Sequence, residues 1–479
     1  MKVLFAVWEI DPLFKVGGLG DIARSLPDVL LKKGIDVRIA IPYYKVLKLS
    51  KLKRMKVALG KVRYAGIDES YEIYTINHPT TNVPIYFFKN HTYIDAVKSA
   101  DMFAFFNKAL VSSVQNNLLS WKPDVIHCND HHTGYIPLLV KHLDLPVKTI
   151  YTIHNLAHQG ITNSVVIDKL GIDKKKFRLQ EWEIKSRQLN AMLEGIVHAD
   201  VVTTVSPTYA KEIMMERFGM GLDEVLRGRE GKVFGILNGI DLNHNLKLHL
   251  ENVWYPYLPE KAIGSEFAAH LKDWEECKIK NKAYLQKKLG LKVTDKLPLF
   301  AFIGRLDPEQ KGMDILHRMF RRINIERLQF VLLGTGSQAW EERFQWLSTF
   351  YPDSVSCIFN FDSSLANQIY ASADFLLVPS KFEPCGLIQM LGLFFGTIPI
   401  ANKTGGLVDT IIDGKNGFFF HKYTSLAMEK TVKKAICIWN KDKKRYKEMV
   451  ISALQSDFSW EKSANEYIAV YDKLVSGQI

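Results

Sequence analysis

The sequence is poor in cysteine and contains no CxxC pair. Its five cysteines are scattered and odd in number, which excludes a disulfide framework and a zinc cluster and indicates a reduced, cytoplasmic protein. No apolar run approaches about 18 residues, so no transmembrane helix is predicted, and the short apolar run at the N-terminus ends in acids, unlike a signal peptide. Internal repeats and low-complexity tracts are also missing, which excludes fibrous and disordered chains.

What remains is the composition of an ordinary globular protein. The 479 residues allow two or three domains, and 47% of them are hydrophobic and 24% charged. The net charge of +12 favours anionic partners. On charge alone, a nucleotide-bearing substrate, nucleic acid and an acidic membrane all stay open.

Short apolar runs alternate with glycine-rich turns and helical periodicity. Residues 3–7 predict a strand, 15–21 a glycine-rich loop, 22–34 a helix and 37–43 a second strand, and this crossover implies a parallel sheet. Further strands are predicted at 124–130, 148–154, 200–206, 298–305, 330–336, 357–361, 374–380 and 397–406. In such sheets ligands bind at the carboxyl ends of the strands.

The fold class predicted from this rhythm is α/β, with two Rossmann-like domains facing a central cleft. The first domain spans 1–242 and the second spans 297–457. Residues 243–296 are predicted as a linker region with a Lys-rich helical segment. The tail, 458–479, is predicted as an amphipathic helix that crosses back to the first domain.

Lys15 lies beside Gly17, Gly18 and Gly20, between the first strand and the first helix. Glycines there let backbone amides approach a phosphate, and the lysine adds a positive charge. The pattern is neither GxGxxG nor a P-loop, which argues against a hydride-transfer enzyme or a P-loop nucleotide hydrolase. A tight turn that needs glycine explains the same residues equally well.

Polar residues also end two later strands of the first half. The run from His127 to His132 suggests a metal site, yet neighbouring residues on a strand point to opposite faces and cannot all converge. A structural cluster and a rim facing sugar or phosphate are the alternatives. For His154, the alternatives are a structural histidine and a site residue.

The second half supplies two cations and one acid at predicted strand ends. Arg305 and Lys311 suit a diphosphate, although plain surface charge is the alternative. Glu383 follows a strand and opens a helix. Cys385 beside it lacks the His or Asp partner that a nucleophilic thiol needs. Together with a second glycine turn at 404–406, this inventory suits transfer from a diphosphate-activated donor.

The motifs taken in order resemble the bacterial glycogen synthase and plant starch synthase family. The resemblance runs over essentially the whole chain, and its motifs are KVGGLGD, HCNDHHTGYIP, YTIHNLAHQG, TTVSPTYAKEI, GILNGID, GRLDPEQKGMDIL, PSKFEPCGLIQM and GTIPIANKTGGLVDT. It implies a B-type glycosyltransferase fold. It also implies transfer of glucose from ADP-glucose to the non-reducing end of an α-1,4-glucan such as glycogen, with retention of configuration. The implied partners are these two substrates alone, with no nucleic acid, membrane, metal or cofactor.

The resemblance also assigns roles to individual residues. Lys15, Arg305 and Lys311 would hold the donor phosphates, Asp130 and His154 would contact the sugar, and Glu383 would orient the transferring glucose. These six are the expected catalytic residues. The expected substrate-binding residues are Lys15, Gly17, Gly18, Asn238, Phe361, Cys385, Gly386, Leu387, Thr404, Gly405 and Gly406.

Some positions depart from the family pattern. His131 stands where Trp is usual, Asn360 and Phe361 stand where Gly and Tyr are usual, and one extra residue separates Arg305 from Lys311. Three alternatives stay open, and these departures motivate the first of them. The first is a related retaining glucosyltransferase with another nucleotide sugar or acceptor, and the second is a catalytically weak glucan-binding pseudoenzyme. The third is a nucleic-acid binder, which fits the charge but explains none of the motifs.

Overall fold

The computed structural model describes residues 1–49, 52–94, 100–173, 187–257 and 274–479. Within these ranges the chain forms two compact units. The first unit comprises Met1–Gly239 together with Trp460–Ile479, and the second comprises Ile240–Ser459. Each unit is an α/β structure built around a largely parallel sheet, as the alternating pattern predicts.

The described part of the first unit contains eleven strands. They are β1 (Lys2–Ala6), β2 (Asp36–Pro42), β3 (Met55–Tyr64), β4 (Ile67–Asn77), β5 (Pro84–Lys89), β6 (Val125–Asn129), β7 (Lys148–Ile153), β8 (Ile161–Asn163), β9 (Gln188–Asn190), β10 (Val201–Thr204) and β11 (Val233–Gly235). Nine form one sheet in the order β11-β10-β7-β6-β1-β2-β5-β4-β3, and β8 pairs with β9. Within the large sheet, β3, β4 and β5 pair antiparallel and the other neighbours pair parallel. Of these strands, β3, β4, β5, β8, β9 and β11 were not predicted from the sequence.

Helices of the first unit pack against this sheet. Those before residue 240 are α1 (Gly18–Lys32), α2 (Ala100–Gln115), α3 (Tyr135–His142), α4 (Val165–Leu170), α5 (Ala191–His198), α6 (Pro207–Glu212), α7 (Glu216–Gly219) and α8 (Asp223–Arg227). Helix α1 buries Leu19, Ile22, Leu26 and Leu30, whose spacing places them on one face. In the described part of the chain, no helix is long and apolar enough to cross a membrane.

The second unit has a fully parallel sheet in its described residues. Its strands are β12 (Leu299–Ile303), β13 (Gln329–Leu333), β14 (Val355–Ile358), β15 (Phe375–Val378), β16 (Ile398–Asn402) and β17 (Phe418–Phe420), in the order β14-β13-β12-β15-β16-β17. Its helices are α9 (Leu242–Asn252), α10 (Trp274–Lys288), α11 (Met313–Phe320), α12 (Gln338–Phe350), α13 (Ser363–Ser372), α14 (Ile388–Phe394), α15 (Gly405–Thr410), α16 (Ser425–Lys441) and α17 (Lys443–Leu454). The range 243–296, predicted as a linker, thus contributes α9 and α10 to this unit, and residues 258–273 of it lie outside the described residues.

The last helix, α18 (Trp460–Val475), belongs to the first unit. It buries Trp460, Tyr467 and Tyr471. The Tyr471 hydroxyl lies 2.7 Å from Nδ1 of His127 on β6, whose Nε2 lies 2.6 Å from the Thr152 hydroxyl on β7. The helix therefore packs against the centre of the first sheet through aromatic contacts and one buried hydrogen-bond chain.

A buried carboxylate ties helices α10, α16 and α17 to the sheet of the second unit. Asp374 precedes β15 and accepts hydrogen bonds from Lys282 Nζ at 2.7 Å, Leu299 N at 2.7 Å, Trp439 Nε1 at 3.0 Å and the Tyr446 hydroxyl at 2.7 Å. Burial raises the pKa of this carboxyl, but the Lys282 charge and these donors outweigh burial and hold it below its usual range. The lysines of the Lys-rich helix are therefore not all surface residues.

We predict that Lys282→Met destabilises the protein by about 3–5 kcal/mol, because it leaves the Asp374 carboxylate buried without its countercharge. Lys280→Met is the matched control, since Lys280 lies on the same helix but pairs with Glu276 at the surface. Urea denaturation of both variants measures the free energy of unfolding. Equal midpoints for the two variants would show that the buried pair contributes nothing.

Candidate active site

Asp130 and His154 lie at the carboxyl ends of the adjacent parallel strands β6 and β7. Oδ1 of Asp130 accepts hydrogen bonds from the backbone amides of His154, at 2.8 Å, and Asn155, at 3.4 Å. Asp130 holds φ 54° and ψ −178°, a backbone conformation that is almost restricted to glycine and costs about 1–3 kcal/mol. The Asp130 carboxylate therefore links the ends of β6 and β7, and the backbone that carries it is strained.

Burial dominates the electrostatics of this pair. It raises the pKa of Asp130 to about 7, although the two amide donors work in the opposite direction. It lowers the pKa of His154 to about 3, so this imidazole is neutral at physiological pH. The site thus holds an acid that titrates near neutrality and a histidine that carries no charge.

Hydrogen bonding defines the tautomer of His154. Its Nε2 lies 2.8 Å from Oδ1 of Asn129, whose amide nitrogen donates to the carbonyls of Ala6 and His127. Because an amide oxygen only accepts, Nε2 carries the proton. Nδ1 then has a lone pair, and it is buried without a partner among the described residues. Such an atom can accept a hydrogen bond from a ligand hydroxyl.

The other histidines of the run do not converge with these residues. His127 lies in the core on Tyr471 and Thr152, whereas the rings of His131 and His132 lie 3.7 Å apart and His132 stacks on Trp8. In the described residues, no group of three His, Cys, Asp or Glu side chains could hold a metal ion. The observed arrangement is that of a structural cluster with Asp130 at its edge.

The predicted glycine loop is shorter than the sequence suggests, because α1 begins at Gly18 and Gly17 is its N-cap. The carboxylate of Glu9, which is buried, accepts hydrogen bonds from the backbone amides of Val16 and Gly17, the latter at 2.9 Å. Burial raises the pKa of Glu9 against these donors. The Gly17 amide, assigned to donor phosphates by resemblance, is therefore held by an internal acid in this structure.

Sequence reasoning missed Glu9. It treated this residue only as the charge that ends an apolar run, although an acid just after the first strand and before a glycine turn was a usable signal. Lys15 in the same loop pairs with Asp21 at 2.6 Å and keeps a third of its side chain exposed. Gly20 packs closely, since a Cβ there would lie 3.1 Å from Cγ of Lys15.

In the second unit the structure brings Lys311 and Glu383 together. Their side chains form an ion pair of 2.7 Å that is largely buried, and Oε2 of Glu383 also accepts from the Ser380 hydroxyl at 2.7 Å. Gly312 allows the backbone beside Lys311 to lie close to Pro379. Its φ is +70°, and a Cβ there would lie 1.9 Å from the carbonyl oxygen of Pro379.

Arg305 follows β12, and 60% of its side chain is exposed, with its closest acid, Asp307, 3.9 Å away. The loop from 305 to 311 is closed by Asp307, whose Oδ1 accepts from the amides of Glu309 and Gln310. This turn accommodates the extra residue between Arg305 and Lys311. Arg305 is thus an exposed cation, whereas Lys311 is held by its ion pair with Glu383.

The second glycine turn and the Glu383 loop are in direct contact. Gly406 N donates to the carbonyl of Glu383 at 3.0 Å, and a Cβ on Gly406 would lie 2.3 Å from the carbonyl oxygen of Cys385. The Gly406 amide is therefore engaged within the protein. Thr404 is the N-cap of α15, and Gly405 begins that helix with φ +47°.

The remaining predicted residues differ in exposure. Phe361 is 84% exposed after β14, and Cys385 is buried and forms no disulfide. Gly386 holds φ +74°, and Leu387 caps α14. Asn238 is 3% exposed, and its Oδ1 lacks a hydrogen-bond partner within the described residues. An exposed ring and an unsatisfied buried amide oxygen are both suited to contact a ligand.

We predict that Asp130→Asn stabilises the protein at pH 8 and has little effect at pH 4. The pKa of Asp130, about 7, lies above its ordinary value of 3.8, so the folded state binds more protons than the unfolded state between these values. The stability that Asp130 contributes is therefore lost as pH rises through that window, and an uncharged amide avoids the loss.

Thermal unfolding from pH 4 to pH 8 checks this. Asp144→Asn is the control, because Asp144 also has a positive φ, 48°, but is exposed. A pH-independent gain in Asp130→Asn, equal to that of the control, would mean that Asn merely suits the backbone better.

Two family matches cover most of the chain. Residues 2–228 match the family described as "Starch synthase catalytic domain", and residues 285–451 match "Glycosyl transferases group 1". The first match lies within the first unit and the second within the second unit.

Full-length relatives and solved structures agree with these matches. The chain is 37% identical to the glycogen synthase of Thermosipho melanesiensis over 100% of both chains, and 37% identical to that of Kosmotoga olearia over 99% of this chain and 98% of the relative. The catalytic domain of starch synthase IV from Arabidopsis thaliana, solved with ADP and acarbose, superposes with a TM-score of 0.87 at 28% identity over 99% of each chain. The chain therefore belongs to the bacterial glycogen synthase and plant starch synthase family of glycosyltransferases.

Proposed function

We propose that this protein is a glycogen synthase that transfers glucose from ADP-glucose to the non-reducing end of an α-1,4-glucan, with retention of configuration. Relatives named glycogen synthase match over the full length, and a similar enzyme binds ADP and acarbose. The observation that carries the proposal is the buried Lys311–Glu383 ion pair, which provides one cation for a phosphate and one acid for a sugar after the adjacent parallel strands β12 and β15.

The cations serve the leaving group. As the bond from the sugar to ADP breaks, negative charge grows on the diphosphate, and preorganised positive groups stabilise that state more than the ground state. Arg305 and Lys311 would hold the distal phosphate and Lys15 would add a third charge. Such charges take the place of a metal ion, so the proposed reaction requires no metal or cofactor.

The sugar is the proposed ligand of the uncharged and titrating groups. The neutral His154 accepts a hydrogen bond from a glucose hydroxyl at Nδ1, the atom that has no protein partner among the described residues. Asp130 fixes the His154 amide and so positions that ring. Glu383 would stabilise positive charge on the sugar. Retention requires the acceptor hydroxyl to approach from the face that ADP leaves.

Backbone groups and small residues complete the proposed donor site. Gly17 and Gly18 would face the phosphates, Phe361 would stack on the base, and Asn238 would contact the substrate through its unsatisfied oxygen. The residues proposed to line the donor are Cys385, Gly386, Leu387, Thr404, Gly405 and Gly406. The five cysteines, none of which forms a disulfide, support a reducing, cytoplasmic location.

Donor competition tests the proposal against its nearest alternative. Purified protein is incubated with glycogen and labelled ADP-glucose, alone or with unlabelled ADP-, UDP- or GDP-glucose, and the polymer is counted. We expect label in the polymer, with ADP-glucose the strongest competitor. Stronger competition by UDP- or GDP-glucose would favour another nucleotide sugar, as Asn360 and Phe361 leave open. No incorporation when ADP-, UDP- and GDP-glucose are each labelled in turn would favour a pseudoenzyme.

We predict that Glu383→Ala retains ADP binding but lowers kcat by about 10²–10³, because it removes an acid that acts on the transferring sugar while it leaves Lys311 for the phosphate. Calorimetry with ADP and initial rates with ADP-glucose measure the two effects. Glu309→Ala, an exposed acid of the same unit, is the control. Unchanged turnover in Glu383→Ala would remove this residue from the mechanism.

We predict that Lys15→Ala raises the KM for ADP-glucose and lowers kcat, because one phosphate-facing charge is lost in both the ground state and the transition state. Lys32→Ala is the control. Lys32 lies at the C-terminal end of α1, away from the loop that carries Lys15, and pairs with Asp28. A normal KM for the donor in Lys15→Ala would contradict its phosphate role.

A further inference from the structure

Helix α12 carries an aromatic surface that the proposed reaction does not use. Trp346 and Phe350 are 55% and 59% exposed, and their ring centroids lie 4.0 Å apart with the planes tilted by 38°. Isolated apolar residues on a surface need no explanation, but two large exposed rings in contact with each other do. They form a ridge that exposes ring surface to solvent.

A shallow cavity that is wide open to solvent adjoins this ridge, with a volume of about 470 Å³. Trp346 and Phe359 supply its apolar walls, and Gln338, Glu342, Gln345 and Thr349 supply polar ones. Oε1 of Glu342 accepts from Nε2 of Gln338 at 3.0 Å, and the Thr349 hydroxyl donates to the Gln345 carbonyl at 2.9 Å. The polar side chains are thus partly oriented beside the rings.

The charge of the cavity identifies the class of ligand. Its described lining includes the carboxylates of Glu341 and Glu342 and no basic residue, although the whole chain carries a net charge of +12. Carboxylates repel polyanions, which argues against nucleic acid and against an acidic membrane. A neutral ligand with apolar C–H faces and many hydroxyls fits both the rings and the amide, hydroxyl and carboxylate groups.

We propose that this surface, Trp346 and Phe350 with the adjoining cavity, is a second glucan-binding platform that anchors an α-glucan chain outside the candidate active site. None of the residues assigned to the donor or to the sugar contributes to the cavity lining. The identity of the ligand rests on the proposed function, because the same polymer would be the acceptor. Anchoring keeps a large, branched acceptor beside the enzyme between transfers, which lowers the KM for that polymer and leaves the chemical step unchanged.

Co-sedimentation of the full chain with glycogen tests this platform, with Trp346→Ala, Phe350→Ala and the double variant. We expect the glycogen Kd to rise roughly tenfold in the double variant, because the apolar ring faces no longer leave water on binding. Trp346→Phe keeps a ring and should bind nearly as well as the wild type. Leu426→Ala, which removes an apolar side chain that is 45% exposed on α16, is the control.

Kinetics separate the platform from the active site. With ADP-glucose and maltotriose, a short acceptor that needs no anchor, the variants should match the wild type, whereas with glycogen their KM should rise at constant kcat. The two single variants and the double variant should have the same thermal midpoint as the wild type, which excludes a local folding defect.

Glycogen retention by the double variant equal to that of the wild type overturns the platform. A concentration-dependent dimer in analytical ultracentrifugation that Trp346→Ala abolishes, with glycogen retention unchanged, also overturns it and assigns the surface to a second copy of the chain. Failure of the wild type to transfer to maltotriose would contradict the proposed function alone, since glycogen retention is measured without a donor.

Discussion

Two internal carboxylates hold the groups that an anionic donor would need, and the proposed chemistry depends on releasing them. In the second unit Glu383 neutralises Lys311 at 2.7 Å, and in the first unit Glu9 accepts the amides of Val16 and Gly17. Each acid satisfies buried donors that would otherwise be unpaired. In the proposed function, a diphosphate would displace these acids or share the donors with them.

The fold was predictable because parallel α/β structure leaves a strong pattern in the sequence. Buried strands read as continuous apolar runs, and a polar residue marks each carboxyl end, as His154 does after β7. The antiparallel strands β3 and β4 were not predicted, since their residues alternate between exposed and buried without a strong apolar run. Burial of Lys282 was also not predicted. In the sequence this lysine looks like surface charge, because its partner Asp374 is distant along the chain.

Within the candidate site, residue types were predictable and their contacts were not. Glycine at 312 and 406 signals close backbone approach, yet only the structure shows that the partners are the carbonyls of Pro379 and Cys385. The run from His127 to His132 suggested a metal site because its histidines and its acid are close together in the sequence. In the structure, His127 on β6 is buried in the core, and the backbone turns at Asp130, which has a positive φ, so these side chains do not converge.

The central claim is that a glucosyl group leaves the cation-held diphosphate and joins a glucan end without inversion. The most direct measurement is digestion of glycogen labelled from ADP-[¹⁴C]glucose with β-amylase, which removes maltose from the non-reducing ends of α-1,4 chains. The account predicts that nearly all polymer label is released as maltose. Label that resists the enzyme, or that is recovered only as free glucose before digestion, would contradict it.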